Sequence, residues 1–438
     1  MRRLSLLYVS QVPPSPPRFG AQVRMHGLMT AMAERHEVSV ACCAEPDELP
    51  RARRALGAYC RDVELVVDGI SGSTARKRLL QLRSLASTRT FERLLFTTPE
   101  LQRRIDALLA RGGFDVVVLE GPFLAHHRLR RGPGGAAAPR IVLDEHNVEY
   151  DVRRQFAGRG GPVRRLFTSL NWRKMRREEH AVWDRVDGVT VTSAADAARV
   201  RADRPGARVA VVPNAVDVDL FRPRAGDPAP DRSTLLFFGA LDYYPNLEGL
   251  LWFLDEVWPR VLESHPAVRL RILGRRPPPA LVARQGPRVE VAGFVEDLRP
   301  SLAAAAAVIV PLRLGGGTRL KILEAMAMER PVVSTTVGAE GIDVAGGREL
   351  LLADEPERFA AEVRRLLDDP ALGSRLGRSA RALVAARYSW RASARGLERF
   401  LFELCRAERH AGARTRAGVP AASAEPERRP GSPSRGPV

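Results

Sequence analysis

Val308–Ile342, VIVPLRLGGGTRLKILEAMAMERPVVSTTVGAEGI, decides how the rest of the chain is read. A buried strand over 308–311 runs into three glycines, a helix over 318–328 and a second strand from Pro331. This is a βαβ unit whose loop sits at the carboxyl end of a strand, where open α/β sheets bind ligands. Arg319 and Lys321 place two cations in the first turn of the helix, where the macrodipole already favours carboxylates. An anion at that end resolves the conflict. Gly315, Gly316 and Gly317 offer bare backbone amides there, and with the helix terminus at Thr318 and the two cations they form a cradle suited to a phosphate or diphosphate. Glu324 lies about two turns in, roughly 9 Å along the axis, placed to accept a hydrogen bond from a sugar or ribose hydroxyl. The plainer reading is a flexible loop followed by a surface helix with solvated charges.

A chain of 438 residues is too long for one core and implies two domains of ordinary size. Its longest apolar run, 302–312, is well short of a membrane span. The amino terminus, MRRLSLLYVS, reads as a first strand rather than a signal peptide, because its apolar part is short and leads straight into a Pro-rich loop. Cys42, Cys43, Cys60 and Cys405 show neither disulfide nor metal spacing, which suits a reducing cytosol. Residues 1–213 carry 36 basic against 23 acidic side chains, so most of the net charge of +18 lies in the first half. Within it, 153–177 holds nine basic residues and no acid, interleaved with Phe156, Leu166, Phe167, Leu170 and Trp172. Arg153, Arg154, Arg164, Arg165, Arg173 and Lys174 thus suit an anionic membrane surface or a polyanionic acceptor. Arginine-rich surface decoration is the plain alternative, and no nucleic-acid motif accompanies the charge.

In chain order, a strand over 4–10 and a glycine turn at Gly20 lead into a helix over 21–35, with Arg24 one turn inside it. The GxGxxG fingerprint is absent, which argues against a nicotinamide enzyme. DVVVLEGP ends in Glu120, and IVLDEHNVEY carries Asp144, Glu145, His146 and Asn147 at a strand tip. His146 there either donates to a substrate hydroxyl or developing charge, or is a turn residue. A Pro-rich break over 222–231 precedes TLLFFGALDYYPN, whose glycine turn is Gly239. Asp217 and Asp219 belong to a strand exit, and no metal site is expected. The βαβα order of both halves gives the fold class: α/β, two Rossmann-like doubly wound domains facing a central cleft. The first domain is expected over 1–213, with a crossing helix at about 387–405. The second spans 214–386, and 410–438 is expected to be disordered.

VVPNAVDVDLFRP, GALDYYPN, VEVAGFVEDL, PLRLGGGTRLKILEAMA with PVVST after it, and Tyr388-Ser389-Trp390 together resemble the family 4 glycosyltransferases, retaining enzymes of the GT-B fold. The resemblance implies a nucleotide-sugar donor held by the second domain and a glycan or lipid-linked acceptor held by the first, with Glu120 and the basic residues on the acceptor or membrane side. It implies that Glu324 binds the donor ribose and that Arg319 and Lys321 meet the diphosphate. Gly293, Phe294 and Val295 would contact the base, Gly20 and Gly239 would face the diphosphate, and His146 would lie near the donor sugar. Transfer in the family is drawn as same-face displacement, the departing diphosphate taking the acceptor's proton, so no dedicated base is expected. Three positions depart from the family pattern: Gly316 replaces an earlier glutamate, Ala240 and Asn246 replace a cation pair, and Ala215 replaces a linker glycine.

The expected function is therefore a nucleotide-sugar-dependent hexosyltransferase in surface polysaccharide or glycolipid biosynthesis. Neither cofactor nor metal is expected, and the expected place is the cytoplasm or the inner membrane face. A sugar-nucleotide 2-epimerase of the same fold and a non-catalytic basic scaffold are the alternatives.

Overall fold

A computed structural model describes residues 2–67, 74–129, 138–157, 161–228 and 230–417, with Thr74, Arg164 and 407–417 described by backbone alone. Seven strands form the first sheet: β1 (Ser5–Ser10), β2 (Glu37–Ala44), β3 (Val63–Val67), β4 (Val116–Glu120), β5 (Arg140–Glu145), β6 (Gly188–Val191) and β7 (Val209–Val211). Six form the second: β8 (Asp231–Phe238), β9 (Arg269–Leu273), β10 (Val289–Gly293), β11 (Ala305–Val310), β12 (Val332–Ser334) and β13 (Leu351–Leu352). Every pairing is parallel, in the orders β3-β2-β1-β4-β5-β6-β7 and β10-β9-β8-β11-β12-β13. Such strands are covered on both faces, which explains why β1, β4, β11 and the second half of β8 read as near-continuous apolar runs rather than alternating ones. The architecture is the expected pair of doubly wound Rossmann-like sheets.

Each sheet reverses its strand order once, between β1 and β4 in the first and between β8 and β11 in the second. Crevices at the carboxyl ends open at these two points. The residues that follow β4, β5, β8 and β11 are therefore those the topology brings toward a cleft.

The final helix, Trp390–Ala417, packs on the first sheet although it follows the second in sequence. Leu397, Phe400, Leu401 and Leu404 join Leu4, Leu6, Tyr8, Val38 and Val40 in one core. Two glycines make that close approach feasible. A Cβ at Gly27 would lie 2.2 Å from the Trp390 ring, and one at Gly188 would lie 2.7 Å from Phe400. The crossing is pinned by a bridge between Val216 and Ser389 and by the Asp343 amide donating to the Tyr388 hydroxyl at 2.7 Å. The helix continues through 410–417, where disorder was expected, and 418–438 lie outside the described residues. Among the described residues no helix is long and apolar enough to cross a membrane.

Candidate active site

The helix after the glycine loop spans Leu320–Ala327, two residues later than its sequence suggests, with Arg319 at the N-cap. The delay has a local cause. Gly317 adopts φ 70°, and Thr318 is held across the cleft: its hydroxyl donates to Thr192 O at 3.1 Å, and its carbonyl accepts from Asn214 Nδ2 at 3.0 Å. The Thr318 hydroxyl thus belongs to a contact between the domains, and the expectation for Thr318 concerns its backbone amide.

No acidic residue stands in the first turn of the helix. The Arg319 guanidinium donates through Nη1 to Gly316 O, while Nε and Nη2 are buried without a partner among the described residues. Burial lowers its pKa against the pull of Tyr243, Glu340 and Asp196. Lys321 Nζ donates to Asn246 Oδ1 at 2.8 Å and lies 4.1 Å from the centre of the Phe237 ring. Burial, and then the Arg319 charge, push its pKa down to about 7. A Cβ on Gly239 would come within 3.0 Å of Nζ, so the glycine turn after β8 makes room for this ammonium. Glu324 is pushed up to about 7 by burial, against the pull of Lys321. Two desolvated cations beside orphaned guanidinium nitrogens form a strongly anion-seeking pocket.

The strand tips around it are open. Gly239, Gly274 and Gly293 end β8, β9 and β10, linked by Gly239 N to Leu273 O at 3.0 Å and Gly274 N to Gly293 O at 2.7 Å. Phe294 follows, 55% exposed, with the Arg275 guanidinium 4.1 Å from its ring centre, while Val295 packs into the second domain. Arg275 is a functional candidate that sequence reasoning missed here, while Asn246, noted in the sequence only for the cation it replaces, holds Lys321. The GRR segment holds no spacing signal that would have distinguished Arg275.

Across the cleft, His146 follows β5 and its Nε2 lies 2.8 Å from Glu120 Oε2 and 3.6 Å from Asp144 Oδ2. Glu120 was expected on an acceptor surface, but it is 1% exposed and sits behind His146. It orients the imidazole instead. Burial raises the Glu120 pKa, partly offset by its bond to His146. Arg24, one turn inside the helix that follows Gly20, turns away from the glycine turn. It is buried and forked onto Asp144, with Nε to Oδ2 at 2.8 Å and Nη2 to Oδ1 at 2.7 Å, and Nη1 donates to Val212 O and Asn214 Oδ1. Burial alone would raise the Asp144 pKa, and Arg24 holds it below the ordinary value. Glu120, Asp144 and His146 lie close enough together to hold a metal ion. In this structure the Arg24 guanidinium supplies the positive charge on Asp144, and His146 meets both carboxylates.

The structure brings His146 to the glycine loop through its neighbour. Asn147, with its amide turned to donate, reaches His146 O at 3.1 Å and Gly316 O at 2.9 Å. A Cβ on Gly317, at φ 70°, would lie 2.5 Å from the end of the Asn147 amide and 2.8 Å from His146 O, so only glycine allows this approach. Gly315 N donates to Gln155 Oε1 at 2.8 Å, which takes up one of the loop amides expected to be bare. Gly20 lies on the same side, its Cβ position 3.6 Å from Leu320 at the head of the anion helix.

The basic stretch does not form one free surface. Arg153 pairs with Glu92 at 3.0 Å and Glu149 at 3.1 Å, and Arg154 pairs with Asp151 at 2.7 Å. Lys174 donates to Ser84 O at 2.6 Å. Glu149 and Asp151, which stand just before the acid-free segment, and Glu92, distant in sequence, neutralise the two arginines. Arg165 and Arg173 are exposed, while the Arg164 side chain lies outside the described residues.

Residues 20–220 match the family described as Glycosyltransferase Family 4, and residues 232–369 match Glycosyl transferases group 1. An "Uncharacterized 44.6 kDa protein in cps region" of Klebsiella pneumoniae is 30% identical over 145 residues, 30% of this chain and 36% of that protein. The matches span from 36% to 51% of the length of the curated relatives. Among solved structures, sucrose-phosphate synthase from Thermosynechococcus elongatus superposes with a TM-score of 0.65 at 19% identity, covering 94% of this chain and all of that one. Anabaena HepE, solved with UDP and glucose, gives 0.60 at 14% identity, covering 95% and 100%. The shared feature at these identities is the fold. With both domain families matched in order on two facing Rossmann-like sheets, the chain belongs to the group 1 / family 4 glycosyltransferases and has the GT-B fold.

Proposed function

We propose that the protein transfers a sugar, with retention, from a UDP-sugar to a glycan or lipid-linked acceptor in surface polysaccharide synthesis. The observation that carries the reading is the pair of buried cations Arg319 and Lys321, the first with two unpartnered nitrogens, at the switch point of the second sheet. A diphosphate satisfies both, and the charge that develops as the sugar leaves is met by groups already in place. Glu324 receives the ribose hydroxyls, and the uracil lies by Gly293 and Phe294. His146, held by Glu120, faces the sugar from the first domain and orients it. The choice of UDP draws on the HepE complex, and the place in polysaccharide synthesis draws on the relative encoded in a cps region.

A thermal-shift panel with UDP, GDP, ADP and CMP tests this. UDP at a hundred times its Kd should stabilise the protein by about 2.7 kcal/mol, and Lys321→Ala should abolish the shift. Equal shifts in the variant, or none from any nucleotide, would overturn the assignment.

A further inference from the structure

Two helices hold aliphatic side chains in solvent within acid-free, arginine-rich sequence. Neither 69–91 nor 152–177 contains an Asp or Glu. On the helix Thr74–Leu85, Leu79 is 63% exposed, Leu82 65% and Leu85 43%. On the first half of the helix Pro162–Trp183, Val163 is 81% exposed, Leu166 62% and Leu170 37%. Val163, Leu166 and Leu170 share one helical face by their spacing. Arg78, Arg83 and Arg173 stand exposed beside these residues, and among the described residues none of the three pairs with a carboxylate.

The helices are tied together. Lys174 Nζ donates to Ser84 O at 2.6 Å, and Arg177 Nη2 donates to Thr88 O at 2.7 Å. Leu85 thus follows the residue that Lys174 grips, and Leu170 lies one turn before Lys174. The platform also adjoins the cleft: the preceding helix, Glu149–Phe156, touches the glycine loop through Val152 and Gln155.

We propose that this two-helix platform docks on an anionic lipid bilayer. Leucines in aliphatic contact with acyl chains, and guanidinium groups reaching back to lipid phosphates, satisfy both halves of the pattern at once. A protein partner would have to offer an apolar face studded with acids to do the same. The surface differs from the basic stretch singled out in the sequence, because Arg153, Arg154 and Lys174 are committed internally and the helix Thr74–Leu85 takes their place. That the sugar acceptor is presented at this bilayer rests on the transferase reading, whereas the docking does not.

Flotation of the full chain at low salt with phosphatidylglycerol-containing vesicles, against pure phosphatidylcholine vesicles, tests the docking. Binding is expected only to the first. Combined Leu79→Ser, Leu82→Ser and Leu166→Ser should weaken it by about tenfold or more while leaving melting temperature and UDP-induced shift unchanged. Should the triple variant prove unstable, Arg78→Glu with Arg83→Glu is the second probe and should also release the protein. Wild-type protein that ignores anionic vesicles, or variants that bind as well as wild type, would overturn the proposal. So would a wild-type dimer by light scattering that the triple variant dissolves with no vesicle binding in either, since that assigns the patch to a second copy. Vesicle binding without any UDP shift would instead sink the transferase reading and leave the docking standing.

Discussion

Lys321 sets the pH response of the site. With its pKa lowered to about 7, it is largely neutral above that pH until an anion arrives, so diphosphate binding must take up a proton there. UDP affinity should be steady below pH 7 and fall above it, by up to about tenfold per unit. Calorimetry in buffers of different ionisation enthalpy reads the proton uptake directly. Glu324→Gln, which leaves Lys321 in place, should keep the slope above pH 7; a slope lost in that variant would assign the titration to Glu324 instead. This pair of cations was legible in the sequence because basic residues at a helix start contradict the macrodipole. Arg24 carried the same kind of signal and meant something else, since its partner, Asp144, lies 120 positions away. A lone arginine near a turn does not announce which carboxylate the fold will deliver.

The helix Glu149–Phe156, whose Gln155 holds the glycine loop, owes its start to a buried acid. Glu179 accepts from the amides of Glu149 and Tyr150 at 2.8 Å each, and its neighbour Glu145 accepts from Trp183 Nε1 at 2.7 Å. Burial pushes Glu179 up from its ordinary 4.5 to about 7. A raised carboxyl binds its proton more tightly in the folded state, so its contribution is fully present below pH 4.5 and is lost as pH rises to about 7. Glu179→Gln should flatten melting temperature against pH across that window, and Glu179→Ala should cost about 1–3 kcal/mol because two buried amides lose their acceptor. An unchanged pH profile in the Gln variant would refute the assignment. Among elements, the strands were legible because parallel sheets demand unbroken apolar runs. The late start of the helix Leu320–Ala327 was not, because Thr318 is kept out of it by Thr192 and Asn214 of the opposite side.

At the scale of the molecule, the contacts between the two domains among the described residues include polar ones at the glycine loop and an aromatic pair, Phe156 against Tyr244 at 5.5 Å between ring centres. The two-sheet plan was readable from the βαβα order and the Pro-rich break. Which residues face each other across the cleft was not, since that depends on the angle between two bodies rather than on any local pattern. The terminal helix gives the clearest test of how the pieces cohere. Gly27→Val should destabilise the first domain by about 1–3 kcal/mol by forcing Trp390 out of its seat. Limited proteolysis should then release the terminal helix first; protection equal to wild type would show that the seat has slack.

Because Leu397, Phe400, Leu401 and Leu404 roof the sheet that contains Leu6 and Tyr8, spatial neighbours are made far apart in translation. The half of the protein that leaves the ribosome first is the half that can be finished only last. For the time needed to synthesise the entire second domain, on the order of ten seconds or more at ordinary elongation rates, the first sheet waits with an apolar flank uncovered. Its survival during those seconds depends on the nascent chain's company rather than on the stability of the finished fold.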